Sequence, residues 1–330
     1  MREVSVRVKQ EIDVVTARAA VRDLCKMWKP QAVAEAELIV TELASNLWRH
    51  AGGGRMVLRL AEGLEIFSED QGPGIDSLQL ALEGQGHGLR TVYRLAQSLQ
   101  IDTDRGKGTQ ITVAKGFPAF PPLSAVAGFR KHLGCFNCQG FRGAAGLFSK
   151  KGEVCGGDGY LVLQRPDGFW VTVVDALGHG KAAAEVAYTL LLLVNRLLEG
   201  HHTPEAVMEA CHRELQGSRG AAMALVRGDK YSWEWIGLGN IRGKLLGPAS
   251  ANFSSMDGIV GYGSLHLRRS VLPRQPNSRL CIYTDGVRWP GPDLMFKDLS
   301  FTAVLGEVLT KGIRGNDDAC FLIIEDSGLH

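Results

Sequence analysis

Residues 42–51 read Glu-Leu-Ala-Ser-Asn-Leu-Trp-Arg-His-Ala and end a longer stretch, residues 31–51, in which apolar residues recur at helical spacing. Three consecutive glycines, residues 52–54, follow at once and predict the end of that helix. Glu42 and Asn46 are four positions apart, so they share one face of the helix, and His50 continues the same stripe. Taken alone, such a stripe is usually a solvated helix face, so a functional role for it can be inferred only from the segments around it.

Three glycine-rich segments follow this helix where the chain enters or leaves predicted strands and helices. A carboxylate at a strand end can accept a hydrogen bond from an adenine amino group, and glycines let the backbone approach a ligand closely. Glycines before a helix expose its free N–H groups to phosphate oxygens. The residues of the three segments, in chain order, are Asp70, Gly72 and Gly74, then Gly84, Gly86 and Gly88, then Gly106, Gly108 and Thr109.

The polar pair on the helix suits the same chemistry. The amide oxygen of Asn46 can bind Mg²⁺, an ion that takes few protein ligands and completes its shell with phosphate oxygens and water. Glu42, one turn away, can accept a proton from an attacking hydroxyl group. Each feature is weak by itself, because glycine-rich turns are commonly only turns. Their order and spacing carry the inference.

In that order, these segments resemble the GHKL ATPase superfamily, and within it the small serine kinases of bacterial sigma-factor switches, the RsbT type. The resemblance covers nearly all of residues 1–115 and implies a GHKL (Bergerat) α/β sandwich that binds ATP. It implies that Asn46 holds magnesium, that Asp70 reads adenine and that Glu42 is the catalytic base toward a protein serine. It implies that the base and phosphates are lined by Gly72, Gly74, Gly86, Gly88, Gly108 and Thr109. A phospho-accepting histidine motif is missing upstream, which argues against a complete histidine kinase.

Residues 153–330 place several aspartates at predicted strand ends: Asp158, Asp175, Asp285 and the pair Asp317-Asp318. Strand ends that converge would bring these carboxylates together, and such crowding is unstable without protons or cations. Ligands that are all oxygen favour Mg²⁺ or Mn²⁺ over zinc, and two such ions can activate a water for attack on phosphorus. The alternative for any single one is an aspartate that caps a turn.

The motifs Gly-Gly-Asp (156–158), Asp-x-x-Gly-His-Gly (175–180), Thr-Asp-Gly (284–286) and Asn-Asp-Asp (316–318) resemble the PPM-type metal-dependent serine/threonine phosphatases. The similarity is to their bacterial SpoIIE-like branch, with the short RsbX type as the nearest variety. It implies an α-β-β-α sandwich whose metal ligands are Asp158, Asp175, Asp285, Asp317 and the carbonyl of Ala176. Asp318 is an alternative to Asp317. His179 is equally a candidate general acid or a structural residue, and the turn at 237–240 resembles the family without an assigned role.

Local patterns predict the regular elements. Helices are expected over residues 13–27, 31–51, 89–99, 181–198 and 204–215. Strands are expected at 56–60, 64–67, 100–102 and 110–114 in the first part. In the second part strands are expected at 160–164, 169–175, 221–226, 231–236, 242–246, 279–284 and 319–325.

Length, composition and charge indicate the number of domains and exclude some classes of function. A chain of 330 residues with 45% apolar residues can fill two cores, which gives domains over 1–115 and 153–330. Residues 116–152 contain prolines, glycines and basic residues without acidic ones, and are expected to be a connector that in part forms a strand of the second domain. The net charge of +2 gives no basic excess for nucleic acid. Charged residues interrupt the most apolar run, 182–198, so no membrane segment is expected.

Seven cysteines and the absence of a leader-like start indicate free thiols and a cytoplasmic protein. Cys135 and Cys138 form a single CxxC pair without the second pair of a zinc site, so they are interpreted as incidental thiols.

Together these features predict a two-domain α/β protein in which a protein serine/threonine kinase is fused to a metal-dependent phosphoprotein phosphatase. The implied cofactors are ATP, Mg²⁺ and Mn²⁺. The implied partners are STAS-domain anti-sigma-factor antagonists or stress-switch scaffold proteins. Three alternatives stay open: a phosphatase regulated by a non-catalytic ATP-binding module, a module that sequesters a partner in the manner of an anti-sigma factor, and a scaffold in which both sets of carboxylates are structural. The sequence does not specify an oligomeric state.

Overall fold

The structure is a computed structural model that describes residues 2–75, 87–104, 106–116, 123–127, 131–138, 140–153, 155–200, 202–248, 250–276, 278–289, 291, 304–305 and 307–326. Gly84 and Gly86, two of the glycines expected at a phosphate, lie outside this set. Within it, none of the helices is both long enough and apolar enough to cross a membrane.

The elements follow one another in this order: β1 (Arg2–Val8), α1 (Glu11–Leu24), α2 (Pro30–Ala51), β2 (Gly54–Leu60), β3 (Leu64–Glu69), α3 (His87–Leu95), β4 (Ser98–Asp104), β5 (Gly108–Lys115), β6 (Leu123–Ala127), β7 (Lys131–Cys138), β8 (Phe141–Phe148), β9 (Asp158–Arg165), β10 (Gly168–Ala176), α4 (Lys181–Glu199), α5 (Pro204–Glu214), β11 (Ala221–Gly228), β12 (Ser232–Leu238), β13 (Arg242–Leu246), β14 (Ala251–Ser254), β15 (Arg269–Pro273), β16 (Arg279–Tyr283), a π-helical turn (Val308–Gly312) and β17 (Ala319–Asp326). They form two compact units, Met1–Pro121 with His132–Cys138, and Pro122–Lys131 with Gln139–His330.

In the first unit, antiparallel strands pair in the order β1-β2-β3-β5-β4-β7. Helix α2 agrees with the predicted helix over 31–51. It begins at Pro30, a residue suited to the first helical position, and ends at Gly52, whose φ of +73° is the left-handed conformation of a helix C-cap. Its apolar stripe is buried, with Ala36, Ile39, Val40, Leu43, Ala44 and Leu47 inside. The opposite, polar stripe is therefore free to face a ligand.

The second unit is a sandwich of two antiparallel sheets. One sheet runs β8-β17-β16-β13-β14 and the other β15-β12-β11-β10-β9-β6. Aromatic rings join the sheets: Phe141 of β8 stacks on Phe169 of β10, with ring centroids 4.8 Å apart, and meets Trp233 of β12 edge-on at 5.2 Å. Helices α4 and α5 bury their apolar faces against β9–β12 in one cluster that includes Leu190, Val194 and Val207.

Most predicted elements of the second unit are confirmed to within two residues, including both helices and the strands that end at Asp175 and before Asp285. In the first unit, the helix predicted over 89–99 ends at Leu95, because the chain from Ser98 onward pairs with β5. The helix predicted over 13–27 runs from Glu11 to Leu24. Its start is stabilised because the carboxylate of Asp13 accepts hydrogen bonds from the N–H groups of Lys9 and Gln10.

Residues 116–152 contain three strands, β6, β7 and β8, where a connector was expected. Strand β6 pairs with β9, β7 with β4 and β8 with β17. These partners are distant in sequence, so the glycines, alanines and prolines of the segment give a loop-like local pattern that long-range pairing overrides.

A buried ion pair links the two sheets of the sandwich. Arg274, just after β15, donates from Nη2 to Oδ1 of Asp326, at the end of β17, over 2.8 Å. The Asp326 side chain is 1% exposed and that of Arg274 is 10% exposed. The same guanidinium lies 4.3 Å from the ring centroid of Phe141.

Replacing this arginine should therefore be costly. We expect Arg274→Ala to lower the free energy of unfolding of the second unit by about 3 kcal/mol, because it removes the guanidinium that pairs with the buried carboxylate of Asp326. The control is Arg142→Ala, which removes a pair to Glu325 at 2.6 Å from an arginine that is 49% exposed. That change should cost less than about 1 kcal/mol. Urea unfolding followed by tryptophan fluorescence measures both values, and equal losses would contradict the role given to Arg274.

Candidate functional sites

The first unit contains a cavity of about 640 Å³ beside helix α2. The cavity brings together residues that the sequence placed in separate segments. It is lined by Glu42, Ser45, Asn46, Arg49, His50, Ala51, Asp70, Pro73, Gly74, Ile75, Gly88, Leu89, Thr109 and Ile111.

Glu42 and Asn46 meet the start of α3 at one end of this cavity. A side chain added to Gly88 would lie 3.1 Å from Oε2 of Glu42 and 3.5 Å from Oδ1 of Asn46. Within the described part of the chain, the side chains of Glu42 and Asn46 make neither a hydrogen bond nor an ion pair. Both polar groups are thus available to a ligand, and the backbone of the α3 N-terminus passes directly against them.

Asp70 also lines the cavity and directly follows β3. Its Oδ1 accepts hydrogen bonds from the N–H groups of Gly72 and Thr109, at 2.8 and 3.2 Å, and its own N–H donates to the Thr109 carbonyl at 3.0 Å. Its Oδ2 has no partner among the described residues. One carboxylate oxygen is therefore fixed by the fold while the other can accept a hydrogen bond inside the cavity.

Two glycines are required by close backbone contacts around Asp70. A Cβ on Gly72 would lie 2.8 Å from the Cα of Ala51, and a Cβ on Gly108 would overlap the carbonyl of Asp70. Gly108 also has a φ of +89°, which disfavours other residues. The turn that presents Asp70 thus depends on the glycines quoted from the sequence.

Thr103 is a contributor that the sequence patterns did not single out. Its hydroxyl accepts from the N–H of Ile75 at 2.9 Å and lies 3.1 Å from the hydroxyl of Thr109. Because Thr103 is buried on β4, it fixes the segment after Gly74 to the strand that carries Thr109. The only sequence signal for it is its place in the hairpin before the glycine-rich turn.

In the second unit, Asp158 and Asp175 are directly opposite each other on β9 and β10. Asp158 is 3% exposed. Its Oδ2 accepts a hydrogen bond from the hydroxyl of Thr284 at 2.7 Å, and its Oδ1 is buried without a partner among the described residues. Like charges directly opposite on neighbouring strands repel each other, so this pair needs compensation.

Asn240 links two further members of the cluster. Its Nδ2 donates to Oδ2 of Asp285 over 2.8 Å, and its side chain also hydrogen-bonds to Asp175. The turn that contains Asn240 was noted in the sequence without a role. The structure shows that it places one neutral amide between carboxylates of β10 and of the turn after β16.

The pKa values of the clustered aspartates reflect this crowding. Burial, followed by the charge of Asp175, raises the pKa of Asp158 well above its usual range. Burial, followed by the charge of Asp285, raises the pKa of Asp175 to about 7, although the hydrogen bond from Asn240 acts in the opposite direction. The cluster is thus unfavourable in its fully ionised form unless positive charge enters it.

The pair Asp317-Asp318 divides into two environments. Asp318 is buried, and its oxygens accept from the N–H groups of Lys150, at 2.7 Å, and Gly157, at 2.6 Å. Asp317 is exposed, and its Oδ1 accepts from the N–H of Asp318 at 2.9 Å. Asp318 therefore already has a structural role, whereas Asp317 keeps an oxygen free in the described structure.

The glycines of the motifs leave room for Asp318. A Cβ on Gly156 would approach Oδ1 of Asp318 to 3.1 Å, and a Cβ on Gly286 would overlap its carbonyl. Ala176 ends β10 and donates its N–H to the carbonyl of Gly157 at 3.1 Å. His179 pairs through Nδ1 with Glu153 at 2.7 Å, so this ring has a partner next to the cluster.

The donor set fits a hard divalent cation. All the donors are oxygens, one buried carboxylate oxygen of Asp158 has no partner in the described structure, and the cluster carries excess negative charge. In the described ranges, no three Asp, Glu, His or Cys side chains form a ready-made ligand shell. This is compatible with Mg²⁺, which keeps several waters when it binds. Cys135, by contrast, is a buried free thiol whose pKa burial raises to about 12.

Two family models match this chain. Residues 7–115 match the histidine kinase-like ATPase domain, and residues 165–288 match stage II sporulation protein E, SpoIIE. The serine/threonine-protein kinase RsbT of Bacillus subtilis (strain 168) is 34% identical over 124 residues, which cover 33% of this chain and 93% of RsbT.

Solved structures match a little more than half of the chain. The structure "The bacterial stressosome: a modular system that has been adapted to control secondary messenger signaling" is 26% identical, with a TM-score of 0.52, over 56% of this chain and 98% of that one. RsbX in complex with magnesium is 18% identical, with a TM-score of 0.53, over 58% of this chain and 98% of RsbX. The RsbX likeness concerns the fold alone.

The predicted fold class, a GHKL sandwich followed by a PPM-type sandwich, is confirmed by these matches. The kinase-like ATPase domain and the phosphatase domain lie in one polypeptide. The chain therefore belongs to the RsbT-like serine/threonine kinases of the histidine kinase-like ATPase family, and it also carries a metal-dependent serine/threonine phosphatase domain of the SpoIIE (PPM) type.

Proposed function

We propose that the first unit phosphorylates a serine or threonine of a STAS-domain anti-sigma-factor antagonist or stress-switch scaffold protein, and that the second unit removes that phosphate. The RsbT relative and the stressosome-related structure support a place in sigma-factor regulation. Opposed activities on one chain are useful only if one gates the other, since otherwise the pair would hydrolyse ATP through its substrate. The protein is thus a switch that sets the phosphorylation state of its partner.

The kinase proposal rests on the arrangement of Glu42, Asn46 and Asp70 around one cavity, with Gly88 against the first two. The substrate hydroxyl attacks the γ-phosphorus of ATP, the bond to the β,γ-bridging oxygen breaks, and ADP leaves. Glu42 takes the hydroxyl proton, and Oδ2 of Asp70 accepts from the adenine amino group. Asn46 would hold the Mg²⁺ that accompanies ATP. Gly72, Gly74, Gly86, Gly88, Gly108 and Thr109 would line the base and phosphates.

The phosphatase proposal rests on the buried, unpartnered oxygen of Asp158 opposite Asp175. Water attacks the phosphorus of the phosphoprotein, the bond from phosphorus to the serine oxygen breaks, and that oxygen leaves with a proton. The residues that would hold Mg²⁺ or Mn²⁺ are Asp158, Asp175, Asp285, Asp317 and the carbonyl of Ala176. When bound, such ions neutralise the carboxylates and supply an activated water. The magnesium in the RsbX structure supports this choice.

Thr284 and Asn240 act on the ligands rather than on the substrate. The Thr284 hydroxyl orients one oxygen of Asp158 toward itself and leaves the other for an ion. Asn240 holds Asp285 and Asp175 through one amide, so the two carboxylates keep their places before an ion arrives. Such outer-shell hydrogen bonds fix ligand orientation.

Kinase activity is best measured in a variant that lacks phosphatase activity, because the phosphorylated product then persists. In an Asp175→Asn background, Glu42→Gln should keep ATP binding but lower phosphate transfer to a STAS-domain acceptor by about 100-fold or more. Asn46→Ala should abolish transfer and weaken the binding of Mg-ATP. Radiolabelled ATP and titration calorimetry report the two quantities, and Gln31→Ala, on the same helix but away from the cavity, is the control.

Three outcomes of that experiment differ in meaning. Transfer retained in Glu42→Gln would remove Glu42 as the base. ATP binding without transfer in the Asp175→Asn parent would favour a non-catalytic ATP-binding module. Stable capture of a partner without either activity would favour a sequestering module.

The phosphatase prediction concerns Asp175. Asp175→Asn should lower Mn²⁺-dependent hydrolysis of p-nitrophenyl phosphate by at least about 100-fold. In EDTA at pH 8 the variant should be no less stable than the parent, because it removes a like charge opposite Asp158. Asp229→Asn is the control, since the oxygen that accepts from Tyr231 and Ser232 at 2.7 Å persists as an amide oxygen. Near-normal hydrolysis by Asp175→Asn would dismiss the metal cluster.

The prediction for Asn240 uses stability instead of activity. Asn240→Asp replaces an amide donor with a third carboxylate, so in EDTA the variant should lose about 1–3 kcal/mol of unfolding free energy. Mn²⁺ should restore more of this loss than it adds to the parent. Asn252→Asp is the control, because its side-chain oxygen accepts from Lys244 Nζ at 2.9 Å and an added negative charge is tolerated there. Equal behaviour of the two variants would refute the bridging role.

A further inference from the structure

Two exposed apolar side chains lie beside the loop that follows Asp175 and Ala176 at the end of β10. Leu177, the next residue, is 40% exposed, and Tyr262 is 54% exposed. The N–H of Leu177 donates to the carbonyl of Gly220 at 3.1 Å, and a Cβ on Gly220 would lie 3.0 Å from the Tyr262 ring. Both residues therefore border the same short stretch before β11, next to the acidic cluster.

Arg219 completes this border with a positive charge. Its Nη1 donates to the carbonyl of Leu177 at 2.8 Å, which holds the guanidinium over the loop. In the described part of the chain this is its only hydrogen bond, and no carboxylate pairs with it. Several other arginines of the same unit do pair with acids, as Arg142 and Arg279 pair with Glu325. Arg219 thus keeps an uncompensated charge and unused N–H donors.

The backbone beneath these side chains is fixed. Ala221 and Val260 exchange two hydrogen bonds, at 3.2 and 2.8 Å. The buried ring of His212 accepts from the N–H of Gly261 at 3.1 Å, and its other nitrogen lies 3.2 Å from the carbonyl of Gly263. Tyr262 is therefore held from both sides by one histidine. A surface that is ordered before binding loses less entropy when a partner arrives.

We propose that Leu177, Arg219 and Tyr262 form a docking rim that binds the segment of the phosphoprotein around its phosphoserine, with an acidic residue of that segment on Arg219. The proposal rests on the phosphatase function proposed above. The substrate is anionic, and arginine forms paired hydrogen bonds with carboxylates and phosphates. Arginine and tyrosine are also the residues that most often dominate the binding energy of protein interfaces. The rim is continuous with the cluster through Leu177 and Ala176.

The test compares a small substrate with peptides. Mn²⁺-dependent kcat/KM is measured for p-nitrophenyl phosphate and for two synthetic phosphoserine peptides, one flanked by glutamates and one by lysines. The parent should prefer the glutamate-flanked peptide. Arg219→Glu should reverse that preference, and Tyr262→Ala should lower the ratio of peptide to p-nitrophenyl phosphate kcat/KM about tenfold. The controls are Arg196→Glu, on the exposed face of α4, and Tyr231→Ala, whose side chain is 74% exposed.

Each outcome decides the matter. Ratios in the rim variants that equal those of the controls would overturn the docking rim. A parallel fall in both substrates would also overturn it, since it would show that Arg219 only supports the loop. A change of mass in light scattering of the rim variants would assign this surface to contacts between copies. Absence of turnover in the parent itself would instead reject the phosphatase function.

Discussion

The repulsion between Asp158 and Asp175 is the constraint around which the second unit is built. Two carboxylates placed opposite each other on neighbouring strands, one of them buried, destabilise a fold unless something holds them there. The sandwich does so with neutral groups: the Thr284 hydroxyl from the end of β16 and the Asn240 amide from the turn before β13. The buried apolar core of strands and helices around the two carboxylates offsets the free-energy cost of their repulsion.

In both sites, glycines allow the backbone to pass close to functional or structural acidic residues. In the first unit, Gly72 and Gly108 let the chain pass close to Asp70, and Gly88 lets the start of α3 pass close to Glu42. In the second, Gly156 and Gly286 make room for Asp318, whose carboxylate ties distant segments together through backbone N–H groups. In both units, a glycine in a motif with an acidic residue thus marks a place where the backbone packs so closely that no side chain would fit.

The sequence predicted what depends on local pattern. Helix α2 could be predicted because its apolar period and its terminal glycines agree, and this alone aligned Glu42 with Asn46. The aspartates of the second unit could be predicted because each lies at or next to an end of an apolar strand. What escaped prediction depends on distant partners: β8 is recognisable only beside β17, and Thr103, Thr284 and Asn240 acquire roles only from neighbours elsewhere in the chain. Short polar residues in turns carry no local signal of such a partnership.

The passage of the chain through its two compact units has a consequence for synthesis on the ribosome. The strand β7 belongs to the first unit and pairs with β4, but in the chain it follows β6, which pairs with β9 of the second unit. A nascent polypeptide released only as far as residue 115 would present β4 as an open sheet edge, a template for unwanted pairing. The amino-terminal sheet therefore gains its last strand only when residues 131–138 have been synthesised, after the first strand of the second unit.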